Sequence, residues 1–587
     1  MQKIDLAYHH VQAIAPSLRP LAYYLRLQEA LNEWSASGGA WRAVAARFDV
    51  DDASAAPYAS HGRDVVAQLL ALDFRVVGAS DGGATRSLLL RSADAGGAAF
   101  LVTALADGDE RPGAPPYLTR AYVERALAAH GGRCGVCALA FASSDPAAVA
   151  AAYGARHPRL LDRCDKACVD CFYFYDDGAP DAGTVLRFLP PGPVRGLAAV
   201  EATFPEAAVP CFSDHWVANV RDRLGTLRIL EDTLGLLPQV EFESGVVAAG
   251  EAVIESTVAG SAAGADGDAL RSRRQIFLPI NNPLSAAGHV AGYLRELGQG
   301  VQHVANRVPD LVRFVTRANA TREATGEGVA FLDVPRAYYG RIAGPGALAK
   351  AAGCGEAAAR AALATLEARG LVDGRGVVAL DADAATIAGA LGDAPHAPAL
   401  AEAAAVARYG ALHGLLGDVF TEDQYVAIVA NRVLVDVQGG DVLLQLFTKP
   451  VLQGGARDEA PFLEFIQRVC GAGKAPRAGC GGFGVRNFLV LFLSIELNAA
   501  MSAAMAAPDA AARARAARAV ACLSRQLERS GPVLGDVADA AADEAVLLEA
   551  GAAAHDVAAA RARKAAAQDA LKAIAADHAA EMRSLRG

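Results

Sequence analysis

One pattern occurs four times along the chain and constrains its fold more than any other feature. An alternating apolar run, typical of a strand, is followed by a turn and then by an amphipathic helix. The strands are predicted at 10–14, 136–141, 215–220 and 301–305. The turns contain Ser17, Asp145, Asp222 and Asp310, residue types that can cap the following helix.

Further short apolar runs lie between these starts, at 100–103, 185–188, 275–278 and 442–447. Each repeat therefore predicts one strand, a helix and then several more strands, which is a βαβββ unit. Four such units can pair into two curved sheets. The sequence predicts an α+β fold of two tandem barrels with additions.

Composition limits the class of protein. The chain has 587 residues, of which 53% are hydrophobic and 20% charged, so it is globular rather than disordered. Its 55 basic and 65 acidic residues give a net charge of −10, which disfavours nucleic acid as a partner. The start lacks the pattern of a secretion signal and the most apolar run, 488–497, is too short for a membrane span, so we expect a soluble, cytoplasmic protein.

The chain has ten cysteines, too few for a disulfide scaffold at this length, which predicts reduced thiols in a reducing compartment. Five of them cluster: Cys134, Cys137, Cys164, Cys168 and Cys171. A zinc site is the alternative at this cluster, because thiolates at such spacings can converge on one ion.

The repeats differ in a way that separates the two barrels. Aligning the second repeat with the fourth places Ala138 where His303 stands. The first barrel therefore has His10 but no second imidazole, and we interpret it as a scaffold. The second barrel has both His215 and His303, whose side chains point to the same face if the repeats are symmetric.

A third ligand is predicted in 461–468, an apolar strand with one carboxylate in its middle. Burial of Glu464 is costly unless the carboxylate is paired or binds a metal. Two imidazoles and one carboxylate on one face leave three positions open on an octahedral iron(II), the arrangement of non-haem oxygenases. The alternative is two hydrogen-bonded core histidines and a salt bridge from Glu464 to Arg468.

Beyond this triad, the sequence resembles the 4-hydroxyphenylpyruvate dioxygenase family, within the vicinal-oxygen-chelate group. The motifs that carry the resemblance are LPIN at 278–281, GVQHVA at 300–305, LQLFTKP at 444–450, FLEFIQR at 462–468 and GCGGFG at 479–484. The resemblance is specific over 210–340 and 425–500. Over 1–200 it is limited to the repeat and the order of elements.

The resemblance implies a cofactor, a substrate class and a reaction. Iron(II), Fe²⁺, would be held by His215, His303 and Glu464. An aromatic 2-oxo acid would chelate the metal, and O₂ would take the remaining position. Oxidative decarboxylation and ring hydroxylation would convert 4-hydroxyphenylpyruvate to homogentisate, a step of tyrosine catabolism.

The resemblance also implies a substrate pocket. Its polar residues would be Ser256, Asn281, His289, Gln302, Gln445 and Asn487, and its apolar walls Phe447, Phe483, Phe488 and Phe492. Asn281 and Gln302 are the strongest candidates, because amides within apolar strands need partners. His289 stands where the family usually has a glutamine, and Asn282 where it usually has a glutamate. The substrate could therefore be another 2-oxo acid, or hydroxylation could be benzylic, as in 4-hydroxymandelate synthase.

The third ligand follows the second at a far greater distance than the resemblance implies, so an insertion is predicted at 343–420. Its short helix, turn, longer helix and hairpin are typical of a winged helix. Because the second helix carries two arginines against two glutamates, we expect a packing or interaction module rather than DNA binding.

The last segment, 499–587, is rich in alanine and predicts long helices that must pack on another surface, as oligomer contacts or as a lid. The predicted domains are 1–205, a barrel without metal; 206–342 with 421–498, the catalytic barrel; 343–420, the insertion; and 499–587, the helical extension. Two other classes of function are alternatives. One is a non-catalytic binding or regulatory protein on the same fold, and the other is a zinc or thiol sensor built on the cysteine cluster.

Overall fold

The structure is a computed structural model of the chain. It describes residues 5–50, 64–93, 96–109, 117–157, 161–163, 168–200, 209–238, 245–249, 252–261, 272–438, 440–451, 459–471, 479–549 and 551–586. The chain divides into two compact units, the first comprising Met1–Leu332 and Gln445–Val485 and the second Asp333–Leu444 and Arg486–Gly587. This grouping differs from the four predicted domains, whose boundaries stay a prediction.

The first sheet is built from the N-terminal part of the first unit. Its strands are β1 (Leu6–Ala15), β2 (Arg75–Asp81), β3 (Thr85–Arg91), β4 (Ala99–Leu105), β5 (Gly135–Ser143), β6 (Leu161–Arg163), β7 (Val169–Asp176), β8 (Ala179–Leu189) and β9 (Ala198–Ala199). They pair in the order β6-β7-β8-β5-β1-β4-β3-β2-β9.

The second sheet follows it in the chain. Its strands are β10 (Phe212–Asn219), β11 (Leu237–Pro238), β12 (Gly245–Ala249), β13 (Ala252–Gly260), β14 (Phe277–Pro283), β15 (Gly300–Arg307), β16 (Leu434–Gln438), β17 (Asp441–Phe447) and β18 (Phe462–Val469). They pair in the order β11-β13-β14-β10-β15-β18-β17-β16, with β12 on β13.

The first unit also contains helices. They are α1 (Leu21–Ser37), α2 (Trp41–Arg47), α3 (Val65–Ala71), α4 (Arg120–Ala129), α5 (Pro146–Arg156), α6 (Arg223–Leu234), α7 (His289–Glu296) and α8 (Leu311–Thr325).

Both sheets repeat one arrangement. Each is centred on an antiparallel pair, β1 with β5 and β10 with β15, and each central strand has one parallel neighbour, which is β4, β8, β14 or β18. A helix follows each central strand: α1, α5, α6 and α8. The βαβββ unit therefore occurs four times, and the predicted α+β fold of two tandem barrels is confirmed.

Three of the four predicted helix caps are confirmed. The carboxylates of Asp145, Asp222 and Asp310 each accept a hydrogen bond from the backbone N–H three residues later, at 2.9 Å. The prediction for Ser17 is wrong, because α1 begins at Leu21, directly after Pro20. Proline fixes its own φ near the helical value, so it can precede a helix without a side-chain cap.

Tyr8 of β1 contacts the part of the second sheet that belongs to the first unit. Its ring lies 4.5 Å from that of Trp216 and 5.9 Å from that of Phe141, between ring centroids. Its hydroxyl donates to the carbonyl oxygen of Asp214 at 3.0 Å and accepts from the N–H of Phe277 at 2.7 Å. The core between the sheets is therefore aromatic and fixes the position of β10.

The second unit is mainly helical. Its helices are α9 (Pro345–Ala352), α10 (Glu356–Ala368), α11 (Ala384–Leu391), α12 (Ala397–Val406), α13 (Gly410–Leu416), α14 (Glu422–Ala430), α15 (Val485–Met505), α16 (Ala510–Glu549) and α17 (Ala554–Arg586), with 3₁₀ turns at Arg336–Tyr338 and Gly417–Val419. Val372 and Val378 form a β-bridge after α10. The predicted order of short helix, longer helix and hairpin is confirmed, as are the long C-terminal helices. None of the helices in the described part of the chain is long and apolar enough to cross a membrane.

The prediction of reduced cysteines is wrong at three positions. Cys470 and Cys480 form a disulfide, and Cys168 is also disulfide-bonded. The Cα atoms of Cys470 and Cys480 lie 5.6 Å apart, because the chain turns back after β18, and this separation suits a disulfide. In the predicted cluster, Cys134, Cys137 and Cys171 are free thiols, and Cys164 lies outside the described residues. A zinc site at this cluster would therefore have no thiolate from Cys168.

Candidate metal centre

The three predicted metal ligands converge in the second sheet. His215 lies on β10, His303 on β15 and Glu464 on β18, three adjacent strands. The Oε2 atom of Glu464 lies 3.0 Å from Nε2 of His215 and 3.2 Å from Nε2 of His303. All three side chains are buried. Their assignment as ligands stays a proposal, but the donor atoms meet at one point.

Strand register explains this convergence. His215 is opposite Ala305 on β15, and Ala305 is opposite Glu464 on β18, so the three residues form one row across the sheet. His303 precedes Ala305 by two positions and therefore points to the same face. The methyl group of Ala305 stands between the two outer ligands. Ala305 has no signal in the sequence, because its role depends on strand pairing.

Both histidines follow a β-bulge. The register between β10 and β15 skips Asp214 on one strand and Gln302 on the other. A bulge interrupts the alternation of side chains, so the bulged residue can lie beside its neighbour. Asp214 Oδ1 lies 2.8 Å from Nδ1 of His215, and Gln302 Oε1 lies 3.0 Å from Nδ1 of His303.

These contacts set the tautomer of each imidazole. A carboxylate or amide oxygen can only accept, so each Nδ1 carries the proton and donates it. Each Nε2 then faces Oε2 of Glu464. Once unprotonated, this nitrogen is the one that can bind a metal, with Nδ1 held by its hydrogen bond.

Asp214 is held ionised by two arginines. Its carboxylate accepts from Arg468 at 2.7 and 2.9 Å, and Nε of Arg307 lies 3.3 Å away. Burial raises the pKa of the Asp214 carboxyl, but Arg468, the hydrogen bond of His215 and Arg307 together hold that pKa well below its usual range. Arg468 therefore pairs with Asp214, and the alternative of a salt bridge between Arg468 and Glu464 is wrong.

A hydrogen bond to Oε1 orients the carboxylate of Glu464. Gln445 donates from Nε2 to Oε1 of Glu464 at 2.8 Å, which leaves Oε2 facing the two imidazoles. Burial raises the pKa of Glu464, but His215 and His303 lower it to about 2. Gly484, at φ +67°, lies against Gln445, and a Cβ at this position would overlap the amide. Glycine is required there by both space and backbone conformation.

The structure places the other predicted pocket residues of the first unit around this centre. Asn281 donates to Oε1 of Gln302 at 3.2 Å and is opposite Ser256 in the strand register. His289 is buried on α7, and its burial, with a smaller effect of His303, lowers its pKa to about 3. Gln302 and Gln445 therefore contact the ligands themselves, while the roles of Ser256, Asn281 and His289 as substrate residues stay a prediction.

Aromatic rings pack on the two imidazoles. The His303 ring lies 4.9 Å from Phe462, nearly parallel to it, and 6.0 Å from Phe447, between centroids. The His215 ring lies 5.0 Å from Phe483. Phe447 and Phe483 were predicted as walls, whereas Phe462 was not. Its position two residues before Glu464 on β18 is the signal that could have identified it.

The remaining predicted pocket residues lie on α15 in the second unit. Asn487 is fully buried and accepts a hydrogen bond from the hydroxyl of Tyr338 at 3.4 Å. Phe492 is buried, and the side chain of Phe488 lies outside the described residues. Their role in a pocket stays a prediction.

An equivalent row of three residues crosses the first sheet, but it lacks the carboxylate. His10 is opposite Ala140, and Ala140 is opposite Arg187, so Arg187 occupies the position equivalent to Glu464. Arg187 is buried and forms two hydrogen bonds with Asp170, at 2.6 and 2.7 Å. A guanidinium cannot ligate a metal ion, since it offers only donors. Ala138 is the equivalent of His303, as predicted, which supports the interpretation of the first barrel as a scaffold.

The comparisons with known proteins point to one family over part of the chain. No family model matches the chain. It is 46% identical over 94 residues to 4-hydroxyphenylpyruvate dioxygenase of Hordeum vulgare, which is 15% of this chain and 21% of that protein. It is 45% identical over 94 residues to the enzyme of the same name from Arabidopsis thaliana, again 15% of this chain and 20% of the relative. The matched region thus spans about a fifth of these relatives.

Among solved structures, a mutant 4-hydroxymandelate synthase from Streptomyces coelicolor is similar with a TM-score of 0.48 and 16% identity, covering 85% of this chain and 100% of that one. A fusion of a xylose isomerase-like TIM barrel with 4-hydroxyphenylpyruvate dioxygenase gives a TM-score of 0.42 at 16% identity, covering 84% of this chain and 52% of that one. The resemblance of this chain to 4-hydroxyphenylpyruvate dioxygenases, drawn from its motifs, is confirmed over the region shared with the plant enzymes.

Proposed function

We propose that this chain is an iron(II)-dependent dioxygenase that decarboxylates and hydroxylates an aromatic 2-oxo acid with O₂. The observation that carries the proposal is the convergence of two imidazole nitrogens and one carboxylate oxygen on one face of a sheet. The partial identity to 4-hydroxyphenylpyruvate dioxygenases supports it. 4-Hydroxyphenylpyruvate is the first candidate substrate and homogentisate the first candidate product.

The donor set fits iron(II). His215, His303 and Glu464 would hold the ion, which, when bound, supplies the chelation of the oxo acid and the activation of O₂. Asp214 and Gln302 keep each Nδ1 protonated, so both Nε2 atoms are available without a change of tautomer. Gln445 prevents rotation of the Glu464 carboxylate.

Gln302 contacts His303, one of the candidate metal ligands. Its Oε1 accepts from both His303 and Asn281, which fixes its amide plane. We therefore assign Gln302 the role of a positioning residue for His303. Asn281 and Ser256, on adjacent strands, would supply hydrogen bonds to the substrate from beside this amide. Phe447, Phe462 and Phe483 limit the access of water to the ligands.

His289 decides how a phenol would be recognised. A buried imidazole with a pKa near 3 is neutral at physiological pH and offers one donor and one acceptor. A glutamine amide offers the same two functions, so the substitution preserves hydrogen bonding while changing reach and shape. Benzylic hydroxylation, as in a 4-hydroxymandelate synthase, is the second candidate reaction because the pocket differs at this residue.

The test is O₂ consumption by the iron-loaded protein with 4-hydroxyphenylpyruvate, with products identified by mass and retention time. Homogentisate supports the first candidate, and hydroxymandelate supports the second. Glu464→Ala should abolish both iron binding and turnover. His10→Gln, at the position equivalent to His215 in the first sheet, should retain both.

Iron bound at the triad without O₂ consumption for any aryl or alkyl 2-oxo acid would contradict an enzymatic role. That outcome would instead support a non-catalytic protein on this fold. Turnover that persists in Glu464→Ala would show that the metal centre lies elsewhere.

A further inference from the structure

A second cluster of metal-ligating side chains lies in the C-terminal helical hairpin of the second unit. Cys522 is on α16, and His578 and Glu581 are on α17, three residues apart and so on one face of that helix. Cys522 and His578 are buried, and Glu581 is partly exposed. Their ligand atoms all lie within 4.8 Å of one another.

The distances suit a small, thiolate-binding cation. The Sγ atom of Cys522 lies 3.3 Å from Nδ1 of His578, and that nitrogen lies 3.8 Å from Oε2 of Glu581. Bonds of about 2.0–2.3 Å to sulfur, nitrogen and oxygen around a tetrahedral ion place its ligands about 3.3–3.8 Å apart. The three atoms are therefore spaced as the ligands of one zinc ion would be.

The surroundings of the cluster orient the carboxylate. Arg525 binds Oε1 of Glu581, and Oε2 is the oxygen that faces the histidine. Ligands whose second oxygen is held by a neighbouring side chain are typical of metal sites. Arg529 donates to Nε2 of His578 at 3.3 Å and pairs with Asp577 at 3.1 Å. Because a guanidinium only donates, Nε2 accepts in this contact and Nδ1 carries the imidazole proton. Metal binding through Nδ1 therefore requires this proton to move to Nε2 and Arg529 to pair with Asp577 alone. A thiolate, a carboxylate and a divalent ion sum to zero charge.

We propose that Cys522, His578 and Glu581 bind a zinc ion that joins α16 to α17. Binding breaks the S–H bond of Cys522, whose proton passes to solvent, and the imidazole proton of His578 moves from Nδ1 to Nε2. The partly exposed Glu581 provides the route of entry, and a water molecule completes the tetrahedron. This site is separate from the proposed iron centre and contains a thiolate, which the iron centre does not.

Cobalt(II) is the probe that separates the two sites. A thiolate ligand gives cobalt a sulfur-to-metal charge-transfer absorption, and the triad of the second sheet has no sulfur. We expect this absorption when cobalt is added to the full-length, iron-loaded protein, at one cobalt per chain. Cys522→Ser should abolish it. Cys354→Ser, which removes a free thiol of the same unit, should leave it unchanged.

Glu581→Gln gives a second test at a partly exposed residue, where folding is not at risk. It should weaken cobalt binding by at least about tenfold, because a ligand is lost. Asp577→Asn, a neighbouring exposed carboxylate outside the cluster, should bind cobalt as the unmodified protein does. Absence of the sulfur-to-cobalt absorption in the unmodified protein, or its persistence in Cys522→Ser, would overturn the proposal. Neither result bears on the iron centre, which is measured by its own activity.

Discussion

At the scale of single residues, Asp214 supports His215 more than any other side chain. It is ionised, accepts from the imidazole and is surrounded by Arg307 and Arg468. Asp214→Asn should weaken iron binding by about 10- to 100-fold, because the amide no longer fixes the imidazole as an anionic acceptor does. It should also lower the free energy of unfolding by about 3–5 kcal/mol, because two buried arginines lose their counter-charge. Chelator competition and urea unfolding measure the two effects.

Asp170→Asn is the matched control in the first sheet. Asp170 is a buried carboxylate paired with a buried arginine, Arg187, but it lies beside no ligand histidine. A similar loss of stability is expected, with iron affinity unchanged. If both variants lost iron equally, general destabilisation and not support of His215 would explain the result.

The sequence alone could reveal some residues of the candidate metal centre but not others. The convergence of His215, His303 and Glu464 was predictable because each is a polar residue within an apolar strand, and the repeat related the strands of the two histidines to each other. Asp214 and Gln302 could not be assigned, because a β-bulge is set by the pairing of two strands and has no local signal. An amide within an apolar strand indicates that a partner exists but does not identify it. The resemblance to the family assigned Gln302 and Gln445 to the substrate pocket, and the structure adds their contacts with His303 and Glu464.

At the scale of strands, the row His215, Ala305 and Glu464 depends on a small central side chain. Ala305→Leu should prevent iron binding, because the added atoms fill the space between the outer ligands. Overpacking should also cost about 1–3 kcal/mol of stability. Iron content after reconstitution and the urea midpoint are the measurements.

Ala140→Leu provides the comparison, since Ala140 has the same place between His10 and Arg187. A stability loss of similar size is expected, with full iron content. Normal iron binding by Ala305→Leu would mean that the metal does not lie over this row.

The adjacent histidines of β1 predict how stability depends on pH. Burial lowers the pKa of His9 to about 4, and burial with His9 and Arg187 lowers that of His10 well below its usual value. The unfolded chain takes up these protons near pH 6.5, while the folded chain stays neutral. Stability is therefore complete above about pH 6.5 and is lost as the pH falls toward about 4, by up to about 1.4 kcal/mol per pH unit for each histidine.

His10→Gln should make this decline shallower, because one proton uptake is removed. The check is the urea midpoint of both proteins at about pH 7, 6 and 5. Parallel declines for the two proteins would show that His10 is protonated in the folded state.

At the scale of the whole molecule, the insertion was predictable from the separation of the second and third ligands. Its first two helices were predictable from their apolar spacing and from the glycines that follow them, Gly353 and Gly370. The helices α11 and α12 were not predicted. Their buried positions are largely alanine, as at Ala390, Ala401 and Ala404, so the apolar pattern is weak. Tertiary packing, not local preference, determines such helices.

The packing of this segment predicts that it folds alone. Its buried apolar side chains form one cluster whose members all lie between Ile342 and Ala405. The two ends of the segment are adjacent. Gly340 lies directly against Ala407 and Gly410. Ala411 donates its N–H to the carbonyl oxygen of Tyr339 at 3.0 Å. A segment with its own core and adjacent ends has the anatomy of an inserted domain.

We therefore expect the isolated segment 341–408 to show helical circular dichroism and one cooperative thermal transition. The reciprocal protein, in which 342–406 is replaced by two glycines, should retain iron at His215, His303 and Glu464, because none of these ligands belongs to the segment. A broad transition for the isolated segment would mean that its core is completed by the rest of the chain. Loss of iron from the shortened protein, with its sheets still folded, would mean that the insertion contributes to the metal centre.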